Sequence, residues 1–80
     1  MTEEIKAALI AKYDELTADY DRHWQKYNRI CSANDTSAVV TAAQIRSKLK
    51  EIDDMQYGFY LALEVMGYTI STGSAGTTIE

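Results

Sequence analysis

The feature that most constrains the fold of this chain is a pair of apolar stripes whose members recur at alternating steps of four and three residues. This spacing keeps side chains on one face of an α-helix and is typical of helices that pack lengthwise. The sequence contains no proline, so nothing in its composition interrupts a long helix. The first stripe comprises Leu9, Tyr13, Leu16, Tyr20, His23, Tyr27 and Ile30. The second comprises Ala38, Ala42, Ile45, Leu49, Ile52, Gln56, Phe59, Leu63 and Met66.

The start of the first helix is marked by its residue types. Thr2 is a favourable N-cap, because its hydroxyl can accept a hydrogen bond from a backbone N–H of the first turn. Glu3 and Glu4 would then lie in that turn, where the helix dipole favours negative charge. We therefore predict a helix over about residues 3–31.

A polar break at residues 32–35 separates the two stripes. Its Ser, Asn and Asp side chains compete for backbone hydrogen bonds and favour turns. Asn34 or Asp35 can cap a second helix, and Gly67 stands where a left-handed C-cap glycine is expected. The second helix is predicted over about residues 36–66.

The predicted fold is all-α: an antiparallel two-helix hairpin whose arms meet along the two stripes. The three tyrosines of the first stripe are interpreted as seam residues, and the Gln56 side chain is a candidate partner for a tyrosine hydroxyl. His23 and Gln56 are interpreted as polar residues that fix the register. Folding at the break pairs Tyr27 with Ala42, His23 with Ile45, Tyr20 with Leu49, Tyr13 with Gln56, and Leu9 with Phe59.

One hairpin leaves apolar surface uncovered. The segment from Tyr57 to Tyr68 is apolar around the whole helix and carries one charge, Glu64, which predicts burial on all sides. We expect a homo-oligomer, most simply a dimer that closes a four-helix bundle or coiled coil. The same surface would also suit docking to a larger protein. The predicted interface residues are Ile10, Trp24, Tyr57, Phe59, Tyr60, Leu63 and Met66.

Charge is distributed unevenly along the chain. Residues 22–50 carry six basic residues and one acid, whereas the remainder carries two basic residues and eleven acids. In a hairpin this gives a positive turn half and a negative open half, which could orient the copies of an antiparallel dimer. The alternative is a nucleotide or nucleic-acid site at the basic half. Its candidate residues are Arg22, His23, Lys26, Tyr27, Arg29 and Arg46.

The acidic half offers a third use for the charge pattern. A cluster of carboxylates there would suit docking onto a larger protein with a basic surface. Its members are Asp14, Glu15, Asp19, Asp21, Glu51, Asp53 and Asp54.

Catalysis has little support in the sequence. Asp19 and His23 share a helical face and resemble a carboxylate that orients a base, but no convincing nucleophile accompanies them. One histidine and one cysteine fall short of a structural zinc site. We therefore predict no enzymatic activity, no metal and no cofactor, with an Asp19 and His23 enzyme as a distant alternative.

The tail changes character after the second helix. Residues 68–80 are rich in Gly, Ser and Thr and contain no basic residue, so we expect the tail to be largely disordered beyond about Thr72. Tyr68 to Thr72 has strand propensity, which would suit pairing with a partner chain. The predicted organisation is a helical hairpin over residues 1–67 followed by this tail.

The bulk properties bound the remaining possibilities. Eighty residues form at most one small domain, in a size range where oligomerisation is a common source of stability. No basic leader precedes an apolar run, no segment suits a membrane span, and the single Cys31 cannot form an internal disulfide. We predict a soluble, cytoplasmic, non-enzymatic binding or regulatory protein of the adaptor or inhibitor type.

Overall fold

The computed structural model describes residues 1–33 and 38–80. Helix α1 spans Glu3–Ser32 and helix α2 spans Val39–Val65. A two-stranded antiparallel sheet follows, with β1 at Ile70–Gly73 and β2 at Gly76–Ile79. The predicted pair of helices is confirmed, whereas the all-α assignment overlooked this sheet. The proposed cap of the second helix, Asn34 or Asp35, lies outside the described residues.

The predicted start of α1 is confirmed in detail. The Thr2 hydroxyl accepts a hydrogen bond from the Ile5 backbone N–H at 3.2 Å, and Glu3 and Glu4 occupy the first turn. These interactions satisfy an otherwise free N–H and complement the helix dipole, so the local sequence fixes where α1 begins.

The end of α2 is fixed by a glycine cap. Gly67 has φ of 86°, a backbone region that favours glycine. The Tyr68 N–H bonds the Leu63 carbonyl at 2.8 Å, and the Gly67 N–H bonds the Glu64 carbonyl at 3.0 Å. This pair of hydrogen bonds is the Schellman pattern. It reverses the chain direction and carries Tyr68 back onto Leu63.

The two helices pack antiparallel in the predicted register. Tyr27 and Ala42 line one hollow near the turn end, and Leu9 and Phe59 line another near the open end. Between them, the Gln56 side chain donates to the Thr17 hydroxyl at 2.7 Å and to the Tyr13 carbonyl at 3.3 Å. The Tyr13 and Gln56 pairing is confirmed. The atoms differ from the expectation, because Gln56 bonds the Tyr13 backbone rather than its hydroxyl.

Apart from the polar Gln56 and His23, the seam is lined by apolar and aromatic side chains. Tyr13, Tyr20 and Tyr27 are half-buried, as the seam interpretation predicts, and the Tyr13 ring meets Phe59 edge-on with centroids 6.3 Å apart. The buried residues that the two helices contribute are Leu16, Ile45, Leu49, Ile52 and Leu63.

The tail forms a β-hairpin instead of the disordered segment that its composition suggested. Its register places Ile70 opposite Ile79, and both side chains are 6% exposed. Together with Leu63 they form one core cluster at the open end of the helices. The composition of the tail did not predict this β-hairpin. Strands rich in Gly, Ser and Thr need few apolar residues when those residues pair with each other and are buried against a helix surface.

Polar contacts also hold the β-hairpin against α1. The Thr77 hydroxyl donates to the Asp14 carboxylate at 2.6 Å. The Met1 ammonium donates to the Tyr68 hydroxyl at 3.0 Å, and the Lys6 ammonium lies 5.7 Å from the centre of the Tyr68 ring. Within the described residues, no helix is both long enough and apolar enough to cross a bilayer.

Candidate interaction surfaces

The C-terminal half of α2 exposes many large apolar side chains. Val65 is 89% exposed, and Tyr57 is 61% exposed. Exposed apolar residues scattered one at a time are normal, but a concentration of them on one short segment is typical of a contact region. The remaining members are Met55, Tyr60, Leu61 and Met66.

One part of this surface is an apolar groove between the helices at the open end. The groove has a volume of about 360 Å³, and Lys12 is the one charged residue in its lining. Gly58 has no side chain, and the space that a Cβ would occupy there is open, so the groove is deeper at this position. Its other lining residues are Leu9, Leu16, Met55, Phe59, Ala62, Leu63 and Met66.

The groove and the β-hairpin lie on opposite sides of the helical seam. The β-hairpin is bonded to Asp14, whereas Lys12 lines the groove. These residues are two positions apart on α1 and therefore about 160° apart around its axis. The β-hairpin thus covers one flank of the open end and leaves the groove flank uncovered.

A second part of the surface is an aromatic pair on the outside of α2. The Tyr57 and Tyr60 rings stack with centroids 6.4 Å apart and planes inclined by 11°. Asp53 precedes Tyr57 by four residues and Glu64 follows Tyr60 by four, so a carboxylate flanks the pair on each side. The pair combines exposed aromatic faces with local negative charge.

The predicted ligand residues near the turn do not all lie in one hollow. Tyr27 and Arg46 line a hollow of about 470 Å³, whereas Lys26 and Arg29 line a separate one of about 420 Å³. Arg22 is held by the Asp19 carboxylate at 3.0 Å. The Trp24 and Tyr27 rings stack with centroids 5.9 Å apart, and Arg46 shares a hollow with Tyr27, whereas Lys26 and Arg29 line the other hollow.

Asp19 and His23 are in contact, as their spacing suggested. His23 Nδ1 lies 2.7 Å from the Asp19 carbonyl oxygen and 3.4 Å from a carboxylate oxygen. Because Asp19 also holds Arg22, the carboxylate serves a surface ion pair as well as the imidazole. Across residues 1–33 and 38–80, no three His, Cys, Asp or Glu side chains are grouped so as to hold a metal ion.

The predicted interface residues fall into two groups. Trp24, Tyr57, Tyr60 and Met66 are exposed, and the half-buried Phe59 lines the apolar groove. Leu63 and Ile10 both pack within the chain. Leu63 is 2% exposed at the centre of the cluster with Ile70 and Ile79, and Ile10 packs against that cluster. The β-hairpin packs over Leu63 within the single chain.

Sequence reasoning missed the residues that shape the groove. Met55, Gly58 and Ala62 line it, although none belongs to the predicted interface. Their positions lie at steps of three and four beside the buried stripe, together with Met66. That spacing was the available signal.

Comparison with known proteins adds no relative from which a function could be transferred. No protein-family model, curated protein sequence or solved structure matches this chain. The surfaces described above are therefore the basis for any function of this chain.

Proposed function

We propose that this chain is a small non-enzymatic binding or regulatory protein, of the adaptor or inhibitor type, that acts through protein–protein contacts as a helical homo-oligomer. The observation that carries the proposal is the exposed apolar surface on the C-terminal half of α2. It includes both the wall of the apolar groove and the stacked Tyr57 and Tyr60 rings.

The energy available from this surface favours association. Burying a large apolar side chain contributes about 1.5–3 kcal/mol. Six such side chains in each of two copies, even if half covered, supply on the order of 15 kcal/mol. Association itself costs roughly 4–15 kcal/mol in lost motional freedom. Burial of this surface can therefore offset the cost of association.

The alternatives have weaker support. A phosphate-bearing ligand would need several cations directed at one point, but Arg46 lines a different hollow from Lys26 and Arg29. An enzyme that uses Asp19 and His23 would need a substrate pocket beside them, and neither residue lines the hollows of the turn half or the apolar groove. A larger basic protein remains a candidate for a further partner of the acidic open half.

We expect multi-angle light scattering at micromolar concentration to give at least twice the chain mass of 9.0 kDa. Changing Tyr57, Leu61 and Val65 together to serine should shift the protein to single chains, because the exposed apolar surface is lost. A matched control changes Ile5 and Val40 to serine, since both are exposed at 51% and 68% but lie elsewhere.

Circular dichroism should show helical spectra for both variants, because all five positions are exposed. The control should keep the mass of the wild-type assembly. A folded wild-type chain that stays monomeric up to about 100 µM would contradict the proposed homo-oligomer.

A further inference from the structure

The outside of α2 carries a second stripe with heptad spacing, which we call the outer stripe. All six of its members are exposed, and they follow one another at steps of three, four, three, four and three residues. Tyr57 lies five residues after the buried Ile52, and therefore about 140° around the helix axis. Tyr57 is thus turned away from α1, whereas Ala43 and Arg46 line a hollow beside Tyr27 of α1, so the outer stripe runs along the flank of α2 next to the seam. Its members are Ala43, Arg46, Lys50, Asp53, Tyr57 and Tyr60.

The chemistry of the outer stripe changes at its midpoint. The first half is small or basic, with Ala43, Arg46 and Lys50. The second half is acidic or aromatic, with Asp53 followed by the stacked Tyr57 and Tyr60 pair. The two halves are complementary in both charge and size, and the midpoint falls between residues 51 and 52.

We infer that two copies of this chain associate through their outer stripes, with α2 antiparallel to α2 of the second copy and a two-fold axis beside residues 51 and 52. The inference rests on the proposed homo-oligomer and specifies its interface. A two-fold axis at that position places residue i opposite residue 103 − i, so every contact except one on the axis occurs twice.

This symmetry brings complementary side chains together. Lys50 meets Asp53 of the second copy, which gives two ion pairs across the axis. Arg46 meets Tyr57, where a guanidinium can stack on an exposed aromatic face. The small Ala43 leaves room for the Tyr60 ring. Large side chains therefore meet small or flat ones, as a closely packed helix pair requires.

The opposite orientation is unfavourable. If the two α2 helices ran parallel in register, Arg46 would face Arg46, Lys50 would face Lys50, and Asp53 would face Asp53. Like charges placed directly opposite each other across a contact destabilise it. The charge order along the outer stripe therefore selects the antiparallel arrangement and the register at the same time.

The charges of the outer stripe are also free to serve a second copy. Among the described residues, 1–33 and 38–80, the cations of the ion pairs within the chain are Lys6, Lys12, Arg22, His23 and Lys48. Arg46, Lys50 and Asp53 take part in none of them. A different partner protein would need the same cation, anion and aromatic side chains in the opposite order along its contact surface. A second copy of this chain presents them in that order when it runs antiparallel.

Charge reversal tests the inference. Lys50→Glu and Asp53→Lys are each expected to raise the dimer dissociation constant at least tenfold in sedimentation equilibrium at low salt, because each creates two repulsive contacts. The double variant, Lys50→Glu with Asp53→Lys, restores opposite charges across the axis. Its dissociation constant should return to within about threefold of the wild-type value.

The matched controls reverse exposed charges on α1, outside the outer stripe. Glu15→Lys and Lys26→Glu should each leave the dissociation constant within about twofold of wild type. A wild-type dimer whose dissociation constant is unchanged by the Lys50 and Asp53 reversals would overturn the outer-stripe interface but not the homo-oligomer. Single reversals that weaken the dimer without rescue by the double variant would overturn the pairing register. A monomeric wild-type chain would remove both proposals.

Discussion

Replacing Leu63 with alanine is expected to lower the free energy of unfolding by about 3 kcal/mol. Leu63 is 2% exposed and packs with Ile70 and Ile79 where α2 meets the β-hairpin. The substitution removes most of a buried side chain and leaves a cavity that the surrounding residues fill only partly. Urea unfolding followed by circular dichroism, at a concentration low enough for single chains, measures the loss.

Leu61→Ala is the matched control, because it makes the same chemical change two residues away on α2. Leu61 is 42% exposed, so its replacement should cost less than about 1 kcal/mol in the single chain. Similar losses for the two variants would contradict the placement of Leu63 in the intrachain core. They would instead favour the placement of Leu63 in the predicted oligomer interface.

Replacing Ile79 with aspartate is expected to release the β-hairpin from the helices while the helices stay folded. Burying an unpaired carboxylate costs several kcal/mol, and Ile79 is 6% exposed against Leu63. Detaching the two short strands from the helices costs less free energy than burying this carboxylate. Hydrogen exchange should therefore show protection falling at least about 30-fold, equivalent to about 2 kcal/mol, at the amides of Thr69 and Glu80.

Those two amides report directly on the β-hairpin, because Thr69 and Glu80 exchange backbone hydrogen bonds of 2.8 and 2.9 Å. The amide of Ile52, in the helical seam, should keep its protection in the same sample. Thr78→Asp is the matched control, since it adds the same charge at the exposed neighbouring position. Unchanged protection in the Ile79 variant would show that the strands do not depend on this anchor.

The helical part of the fold was predictable because its signals are local or periodic. The stripes with steps of three and four fix which face of each helix is buried, and Thr2 and Gly67 mark two helix ends through backbone hydrogen bonding. Register followed from pairing the stripes, as the contact between Gln56 and the Tyr13 carbonyl illustrates. Each of these features depends on residues close in sequence or on a regular repeat.

The tail was not predictable by the same reasoning, because its order depends on a tertiary contact. Composition describes residues 68–80 as Gly-, Ser- and Thr-rich, and such segments usually lack the apolar surface to fold. Only the pairing of Ile70 with Ile79 over Leu63 reverses that conclusion. The same contact buries Leu63 and packs Ile10 within the chain.

The candidate surfaces were only partly predictable for a related reason. Periodicity identifies the buried face of a helix, but it does not say which flank of a helix pair another element will cover. The β-hairpin covers the Asp14 flank and leaves the groove open beside Lys12. Likewise, sequence blocks of basic charge suggested one ligand site, whereas Arg46 and Lys26 line separate hollows.

The exposed thiol of Cys31 acquires a practical meaning from its location at the turn end of α1. In an antiparallel pair centred on residues 51 and 52, the two thiols would stand roughly 40 Å apart, given a rise of 1.5 Å per residue. Air oxidation could not link the two chains of such a pair to each other. Dyes attached to the two thiols would therefore report the distance between them, and hence the direction in which the two chains associate.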